Sequence, residues 1–346
     1  MPHRRLEALA DAVRDAAPAV AVEVTEAFLA RHPDWRTRYG ARASSAGVQD
    51  AGYHLAFLAA AIDADDPAAF AAYARWAARV LAARGIASRF LGENLGQLRD
   101  ALAARLGATH AADLAPFFAD ADAALGAEPE FPTGDTLPLT ATVFLQAILA
   151  GQRHAAVRIA REALERGTTL PELYVDVFQP ALYEVGARWE ANRLTVAQEH
   201  IATAVTQYVM ARVYHPPDDD GPRRGSVVLT GVEGELHNIG AVMVGDLLES
   251  TGWNVRFLGT NLPAASILSV VREAAPTHIG ISATMLFNVG AVRDLIAAVR
   301  AEFADRVRIV VGGAAFRAVP DLWQQITADA HATDLRGVQT LFAANS

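Results

Sequence analysis

The loop around which this sequence is organised reads Gly231-Val232-Glu233-Gly234-Glu235-Leu236-His237-Asn238-Ile239-Gly240. It follows an apolar run, 226–230, that predicts a buried parallel strand. It leads into 241–249, where apolar residues repeat with helical periodicity. His237 is therefore predicted to lie at the carboxyl end of a strand. In open α/β sheets that edge is where ligands bind.

The residue types in this loop suit a metal site. Imidazole is a good ligand for a transition metal, and a carboxylate two residues earlier, at Glu235, can hold the other ring nitrogen and fix the tautomer. Gly240 would allow a ligand to approach the backbone closely. The alternative is that His237 is an ordinary polar residue before a helix, because motifs this short also arise by chance.

The spacing Glu235-x-His237-x-x-Gly240 resembles the Asp-x-His-x-x-Gly signature of cobalamin-binding domains. In that family the His replaces the cofactor's own base as the lower axial ligand of cobalt. The resemblance implies that His237 is the metal ligand here and that Asn238 and Gly240 are further contacts of the cofactor. Glu235 stands where the family has Asp, and this departure leaves the form of its hydrogen bond to His237 open.

The segment 224–346 alternates between strand and helix patterns and predicts a flavodoxin-like (Rossmann-like), doubly wound domain. Its strands are predicted at 226–231, 254–259, 278–283, 307–312 and near 330. Small residues follow two of these strands, at Ser282 and Thr284 and at Gly312 and Gly313. They are spaced as in the cobalamin-binding family, which implies that they contact the buried tail of the cofactor.

Two all-helical domains are predicted before this one. Residues 1–127 are rich in Ala, Leu and Arg, with apolar positions repeating at three and four. Residues 137–215 predict a four-helix bundle whose last helix begins at a capping box on Thr195. Breaker-rich linkers at 128–138 and 215–222 separate the three domains.

Composition excludes several classes of function. The 346 residues carry a net charge of -9 and no Lys/Arg stripe, which argues against direct binding of nucleic acid. The absence of cysteine rules out disulfides, thiolate metal sites and thioether-linked chromophores. No uncharged apolar run reaches the ~20 residues of a membrane span, and the amino end is not typical of a secretion signal. We therefore expect a cytoplasmic protein that does not bind membranes.

A second motif lies in the predicted bundle, where nine residues separate Trp189 from Glu199 and His200. It resembles the Trp-x9-Glu-His motif of the light-sensing adenosylcobalamin proteins of the CarH type. The resemblance implies that Trp189 covers the adenosyl group and that Glu199 and His200 lie near it. Alternatively, Trp189 is a core residue and Glu199 only complements the helix dipole. Glu190 replaces a His of the CarH pattern, which leaves His200 as the nearest candidate for a second cobalt ligand after light.

Aromatic residues are concentrated on two predicted helices of residues 1–127. The patterns Tyr53-His54-x-x-Phe57 and Tyr73-x-x-Trp76, with a turn after Pro33, resemble the globin-like sensor half of the photocobilins, which combine B12 with a bilin. The resemblance implies non-covalent binding of biliverdin. The implied contacts are His54, Tyr73, Arg75 and Trp76. The alternative is a helical core in which these aromatic side chains only pack.

Together these patterns predict a photoreceptor rather than an enzyme. Photolysis of adenosylcobalamin would change its conformation or its oligomeric state, so we expect a light-dependent homo-oligomer and a downstream protein partner. One alternative is a corrinoid protein that carries methyl groups for a methyltransferase. Another is a stress sensor whose amino-terminal helices bind haem or a protein.

Overall fold

The computed structural model describes residues 2–126, 136–215, 223–319 and 321–343. The chain divides into two compact units, Met1–Glu130 and Phe131–Ser346. Most of the predicted linkers at 128–138 and 215–222 lie outside the described residues. No helix in the described residues is both long enough and apolar enough to cross a membrane.

The first unit is entirely helical over residues 2–126. Its helices are α1 (Pro2–Arg31), α2 (Pro33–Tyr39), α3 (Arg42–Asp63), α4 (Pro67–Ala83), α5 (Ser88–Leu106) and α6 (Ala108–Leu125). The predicted turn after Pro33 is wrong, since α2 begins there. Proline suits the first turn of a helix, and Asp34 complements the helix dipole. The globin-like arrangement of this unit stays a prediction.

The helical half of the second unit contains α7 (Leu139–Leu149), α8 (Arg153–Glu165), α9 (Leu170–Leu173), α10 (Gln179–Glu190) and α11 (Val196–Val213). A π-helical segment, Tyr174–Phe178, joins α9 to α10, where the sequence predicts one regular helix. Such segments are rare and often lie at functional sites. The predicted capping box at Thr195 is confirmed, because its side chain accepts from Gln198 N–H and the Gln198 side chain binds back.

The other half of this unit is a parallel five-stranded sheet over the described part of residues 223–343. Its strands are β1 (Ser226–Gly231), β2 (Asn254–Phe257), β3 (His278–Ser282), β4 (Arg308–Gly312) and β5 (Ala330–Ala332). They lie in the order β2-β1-β3-β4-β5, the flavodoxin-like order that the sequence predicts. The helices are α12 (Ile239–Ser250), α13 (Ala264–Ala274), α14 (Val289–Phe303), α15 (Ala314–Ala318), α16 (Leu322–Gln325) and α17 (Leu335–Ala343).

Helix α12 connects the bundle with the sheet through hydrogen bonds and a shared apolar core. The hydroxyl of Tyr174 donates to Asp246 at 2.5 Å, and the hydroxyl of Tyr214 donates to Glu249 at 2.6 Å. Met243, Leu247 and other apolar side chains of α12 share one core with the bundle helices. Because α12 begins two residues after His237, a shift of that loop would act directly on these contacts.

The Tyr174–Asp246 contact makes stability depend on pH. Burial raises the pKa of Asp246 to about 6, with the charge of Glu249 adding to it and the hydrogen bond from Tyr174 opposing it. The folded protein thus holds this proton more tightly than the unfolded chain, so ionisation costs stability above the folded pKa. As the pH falls from about 7 towards about 4, this group should raise the free energy of unfolding.

We expect Asp246→Asn to remove that dependence and to raise the free energy of unfolding at pH 7 by about 1–3 kcal/mol, because the amide still accepts from Tyr174 but carries no charge. Denaturant melts from pH 4 to 8 measure this difference. The fully exposed Asp305, as Asp305→Asn, is the matched control. Parallel stability curves for the wild type and Asp246→Asn would contradict the prediction.

Candidate functional site

The His237 loop lies at the carboxyl edge of the sheet, directly after β1. Glu235 Oε1 accepts from the His237 backbone N–H at 2.9 Å and lies 2.7 Å from its Nδ1. The His237 side chain is 57% exposed, and its Nε2 has no hydrogen-bond partner among the described residues. Because Glu235 holds Nδ1, Nε2 is the nitrogen that is oriented and available for a metal.

Glu235 is the buried anchor of this loop, with none of its side chain exposed. Its second oxygen, Oε2, accepts from the Thr284 backbone N–H at 2.6 Å and from Asn288 Nδ2 at 3.1 Å. Burial opposes ionisation of Glu235, but the hydrogen bonds from His237, Thr284 and Asn288 outweigh it and lower its pKa to about 2. A buried carboxylate therefore remains charged beside the imidazole.

That carboxylate acts on the basicity of His237. Its hydrogen bond raises the pKa of His237, burial opposes this effect, and the charges of Glu235 and Glu199 add to it. The structure thus defines the hydrogen bond between Glu235 and His237, whose form the sequence left open. Glutamate, longer by one methylene than aspartate, reaches both His237 and Asn288 while remaining fully buried.

Sequence reasoning missed Asn288, which is 4% exposed and immediately precedes α14. It lies 53 residues after Glu235, in a short 3-10 turn, and no local pattern marks it. The only available signal was that a buried charged group must find hydrogen-bond partners from neighbouring strand ends. Thr284 also contributes, because its backbone N–H donates to Glu235 Oε2.

Small residues lie around the carboxyl edge of the sheet, and the structure shows two different reasons for their small size. Gly313 has φ of 108°, and a Cβ there would lie 2.2 Å from the Ala283 carbonyl oxygen, so backbone packing requires glycine. A Cβ on Gly240 would meet nothing within 4 Å. Gly240 therefore opens onto space that a ligand can fill. Ser282 and Gly312 are half-buried at the ends of β3 and β4.

Helix α11 turns one face towards the His237 loop. Glu199, Thr203 and Gln207 lie four residues apart and share that face. Thr203 donates to Glu199 at 2.9 Å, and Gln207 Nε2 donates to Asn238 Oδ1, beside His237, at 2.9 Å. The charge of Glu199 acts on the pKa of His237 across the same space. The bundle motif and the strand-end motif therefore face each other.

Trp189 and His200 complete the motif of the bundle. Trp189 is half-buried in the last turn of α10. His200 has a 74% exposed side chain, and its Nδ1 pairs with Glu199. The described residues contain no cluster of three or more His, Cys, Asp or Glu side chains that could hold a metal ion. The candidate metal ligand at this site is thus a single imidazole, that of His237.

In the first unit the structure brings three of the four predicted bilin contacts together. His54 Nδ1 lies 2.6 Å from the Tyr73 hydroxyl, both side chains are buried, and the Trp76 ring lies 6.0 Å from that of Tyr73. Arg75 is exposed, because one residue along a helix turns a side chain by about 100°. The aromatic group also includes Phe57, whose ring stacks on Tyr73 at 3.9 Å.

Two known protein families match the sequence of the second unit. Residues 225–335 match the B12 binding domain family, and residues 141–214 match a second family with the same description. Dimethylamine corrinoid protein 3 of Methanosarcina mazei is 32% identical over 134 residues, covering 38% of this chain and 80% of that protein. The HTH-type transcriptional repressor CarH of Myxococcus xanthus is 28% identical over 172 residues, covering 49% and 57%.

A solved structure, the Methanosarcina barkeri monomethylamine corrinoid protein, superposes with a TM-score of 0.50. Its sequence is 21% identical, and the match covers 58% of this chain and 96% of that structure. At this identity the match shows a shared fold alone. The arrangement of a helical bundle and a Rossmann-like sheet is therefore common to both proteins.

Proposed function

This chain belongs to the family of cobalamin-binding corrinoid proteins, and from that premise we propose that it is a light sensor that uses adenosylcobalamin and is not itself an enzyme. The observation that carries the proposal is the pairing of two motifs. Trp189, Glu199 and His200 stand on the bundle, and the α11 face that bears Glu199 is turned towards His237. In the proposal, His237 would hold the cofactor from one side and Trp189 would cover it from the other.

The residues at the sheet edge fit this cofactor. His237 Nε2 is oriented and unpartnered among the described residues, and the space beside Gly240 is open. In the proposal His237 would ligate the cobalt, Glu235 would fix the tautomer of His237, and Asn238 and Gly240 would line the approach to it. Ser282, Thr284, Gly312 and Gly313 contact the nucleotide tail. When bound, adenosylcobalamin supplies a cobalt–carbon bond that visible light can break.

Asn288 is expected to act through Glu235. We expect Asn288→Leu to weaken cobalamin binding about 10-fold, because loss of an outer hydrogen bond to a metal-ligating pair costs roughly 10–100-fold in affinity. Asn288→Asp should weaken cobalamin binding further, since it places a second carboxylate beside that of Glu235. Titrations followed by absorption measure both affinities, with Asn254→Leu, at an exposed position on β2, as control. Unchanged affinity in Asn288→Leu would remove Asn288 from the site.

In the proposal, residues of the bundle form the upper side of the cofactor site. In the proposal the indole of Trp189 covers the adenosyl group and excludes water, and Glu199 accepts a hydrogen bond from the ribose or the adenine. His200 is the candidate second ligand after illumination. On illumination Trp189 would lose this packing partner, and a shift of α10 would then change the contacts that the bundle makes with α12.

A second candidate function is a corrinoid protein that carries methyl groups for a methyltransferase. The similarity to dimethylamine corrinoid protein 3 favours it. The two candidates differ in the upper ligand, since a methyl group needs no aromatic cover. The carrier should bind methylcobalamin at least as tightly as adenosylcobalamin and should act only with a partner enzyme.

We also propose biliverdin or a related bilin as a second chromophore of the first unit, with His54, Tyr73, Arg75 and Trp76 as contacts. The absence of cysteine requires non-covalent binding. The cluster of Tyr73, Trp76 and Phe57 supports the proposal, because its aromatic faces suit a planar ligand. Because Arg75 is exposed, it could contact only a group at the rim of the bilin site, such as a propionate of the bilin.

The signal is proposed to leave the protein through assembly or a downstream protein. The full chain with adenosylcobalamin should elute differently from a size-exclusion column before and after green light. A Trp189→Phe variant should retain the dark profile, because a ring still covers the adenosyl group. Dark and illuminated profiles that coincide would contradict the light-dependent homo-oligomer.

A further inference from the structure

A continuous aromatic face runs along α3 and α4 of the first unit. Tyr53 is 47% exposed, and Phe57 and Trp76 are half-buried. Beneath them Tyr73 stacks on Phe57 with the ring planes 15° apart. Soluble proteins seldom leave several large aromatic rings at one accessible place unless something covers them. The face therefore offers planar contact surface to a ligand.

Two side chains on this face, Asp50 and His54, each have a polar atom without a hydrogen-bond partner among the described residues. Asp50 lies one helical turn before His54 on α3, and its carboxylate makes no hydrogen bond or ion pair there. Its side chain is accessible, yet it lies deep enough among its neighbours for desolvation to raise its pKa. Its charge also acts on the Tyr73 hydroxyl below the face. A hydrogen-bond acceptor is thus present beside the aromatic rings.

His54 supplies a second hydrogen-bonding atom. Burial lowers the pKa of His54 to about 4, so the ring is neutral, and burial raises that of Tyr73, so the hydroxyl keeps its proton. The Tyr73 hydroxyl and His54 Nδ1 share one hydrogen bond, in which either atom can donate. His54 Nε2 has no partner among the described residues, although His54 is only 8% exposed. This ring nitrogen can therefore form one hydrogen bond with a ligand.

We propose that Asp50 and His54 recognise a planar conjugated ligand that carries N–H donors beside an acceptor oxygen or nitrogen. The side chains of Tyr53, Phe57 and Trp76 pack against the faces of this ligand. The carboxylate accepts from the ligand's N–H groups. The ligand's acceptor selects the His54 tautomer that donates from Nε2, and the Tyr73 hydroxyl then donates to His54 Nδ1. Asp50 is thus the specificity residue of this face. The inference deepens the proposed bilin site, and it rests on that proposal only for the choice of biliverdin as a probe.

The test is a set of titrations of the full chain with three planar probes. Biliverdin has pyrrole N–H groups beside lactam carbonyls, haem has its pyrrole nitrogens bound to iron, and proflavine is a small planar cation with N–H donors. The variants are Asp50→Asn and, as matched control, Asp120→Asn at an exposed position of α6. Thermal melts followed by circular dichroism, measured in parallel, report whether the first unit of each variant is folded.

We expect wild type and Asp120→Asn to bind biliverdin more tightly than haem. Asp50→Asn should bind biliverdin at least ~10-fold more weakly and shift its absorption band, with haem affinity unchanged, because only biliverdin loses a charge-assisted hydrogen bond. Equal biliverdin affinity in Asp50→Asn and the control would overturn the inference, as would binding of none of the probes. Binding of proflavine alone, dependent on Asp50, would support this site while rejecting the bilin.

Discussion

Replacing His237 by alanine is expected to weaken cobalamin binding by at least ~100-fold, the largest effect of any substitution in this chain. Loss of outer partners of metal ligands already costs roughly 10–100-fold, and removal of the ligand itself should cost more. The variant also leaves Glu235 charged and buried without its imidazole partner. Titration with hydroxocobalamin, followed by absorption, measures the affinity and the change in axial ligation together.

His154→Ala is the matched control, because His154 is exposed on α8 and lies outside the candidate site. It should bind cobalamin as the wild type does. A thermal melt of each variant without cofactor separates loss of the ligand from loss of the fold. If His237→Ala binds cobalamin with wild-type affinity and an unchanged spectrum, the assignment of His237 is wrong.

The second large effect is expected at Trp189. Trp189→Ala should lower the affinity for adenosylcobalamin about 10-fold or more and leave that for methylcobalamin nearly unchanged. An aromatic pair contributes about 0.5–1.5 kcal/mol beyond the area that it buries, and each 1.4 kcal/mol is tenfold in affinity. Only the adenosyl ligand offers a flat partner to the indole.

The comparison of the two ligands is what makes this variant informative. Trp323→Ala is a suitable control, since Trp323 is half-buried and stacks on His331 of β5. An equal loss of affinity for both cobalamins in Trp189→Ala would mean that the indole serves only as a core residue. That result would favour the methyl-carrying function.

The parts of the fold that sequence predicts well are those that local physics determines. The strand before His237 and the capping box at Thr195 follow from apolar periodicity and from hydrogen bonds between near neighbours. The strand order follows from the topology rules for alternating strands and helices. The Glu235–His237 contact belongs to this class, because the two residues are only two positions apart. Its geometry needed the structure, since the buried position of Glu235 depends on groups in the segment between β3 and α14.

The parts that sequence could not predict depend on distant residues. Asn288 reaches Glu235 only because two strands end at the same edge. The π-helical segment at Tyr174 accompanies a bond to Asp246, which lies 72 residues away. In the first unit, the neighbours Arg75 and Trp76 differ in exposure because helix packing, rather than composition, decides which faces inwards. Local patterns specify the candidates, and tertiary contacts select among them.

The central claim is that this chain senses light through adenosylcobalamin held by His237. Its most direct test is an absorption spectrum of the full chain, loaded in the dark with adenosylcobalamin and repurified, before and after green light. We predict a bound cobalamin spectrum that converts irreversibly on illumination in the wild type, with little cobalamin retained by His237→Ala. A bound cobalamin whose spectrum is the same before and after illumination would contradict the claim.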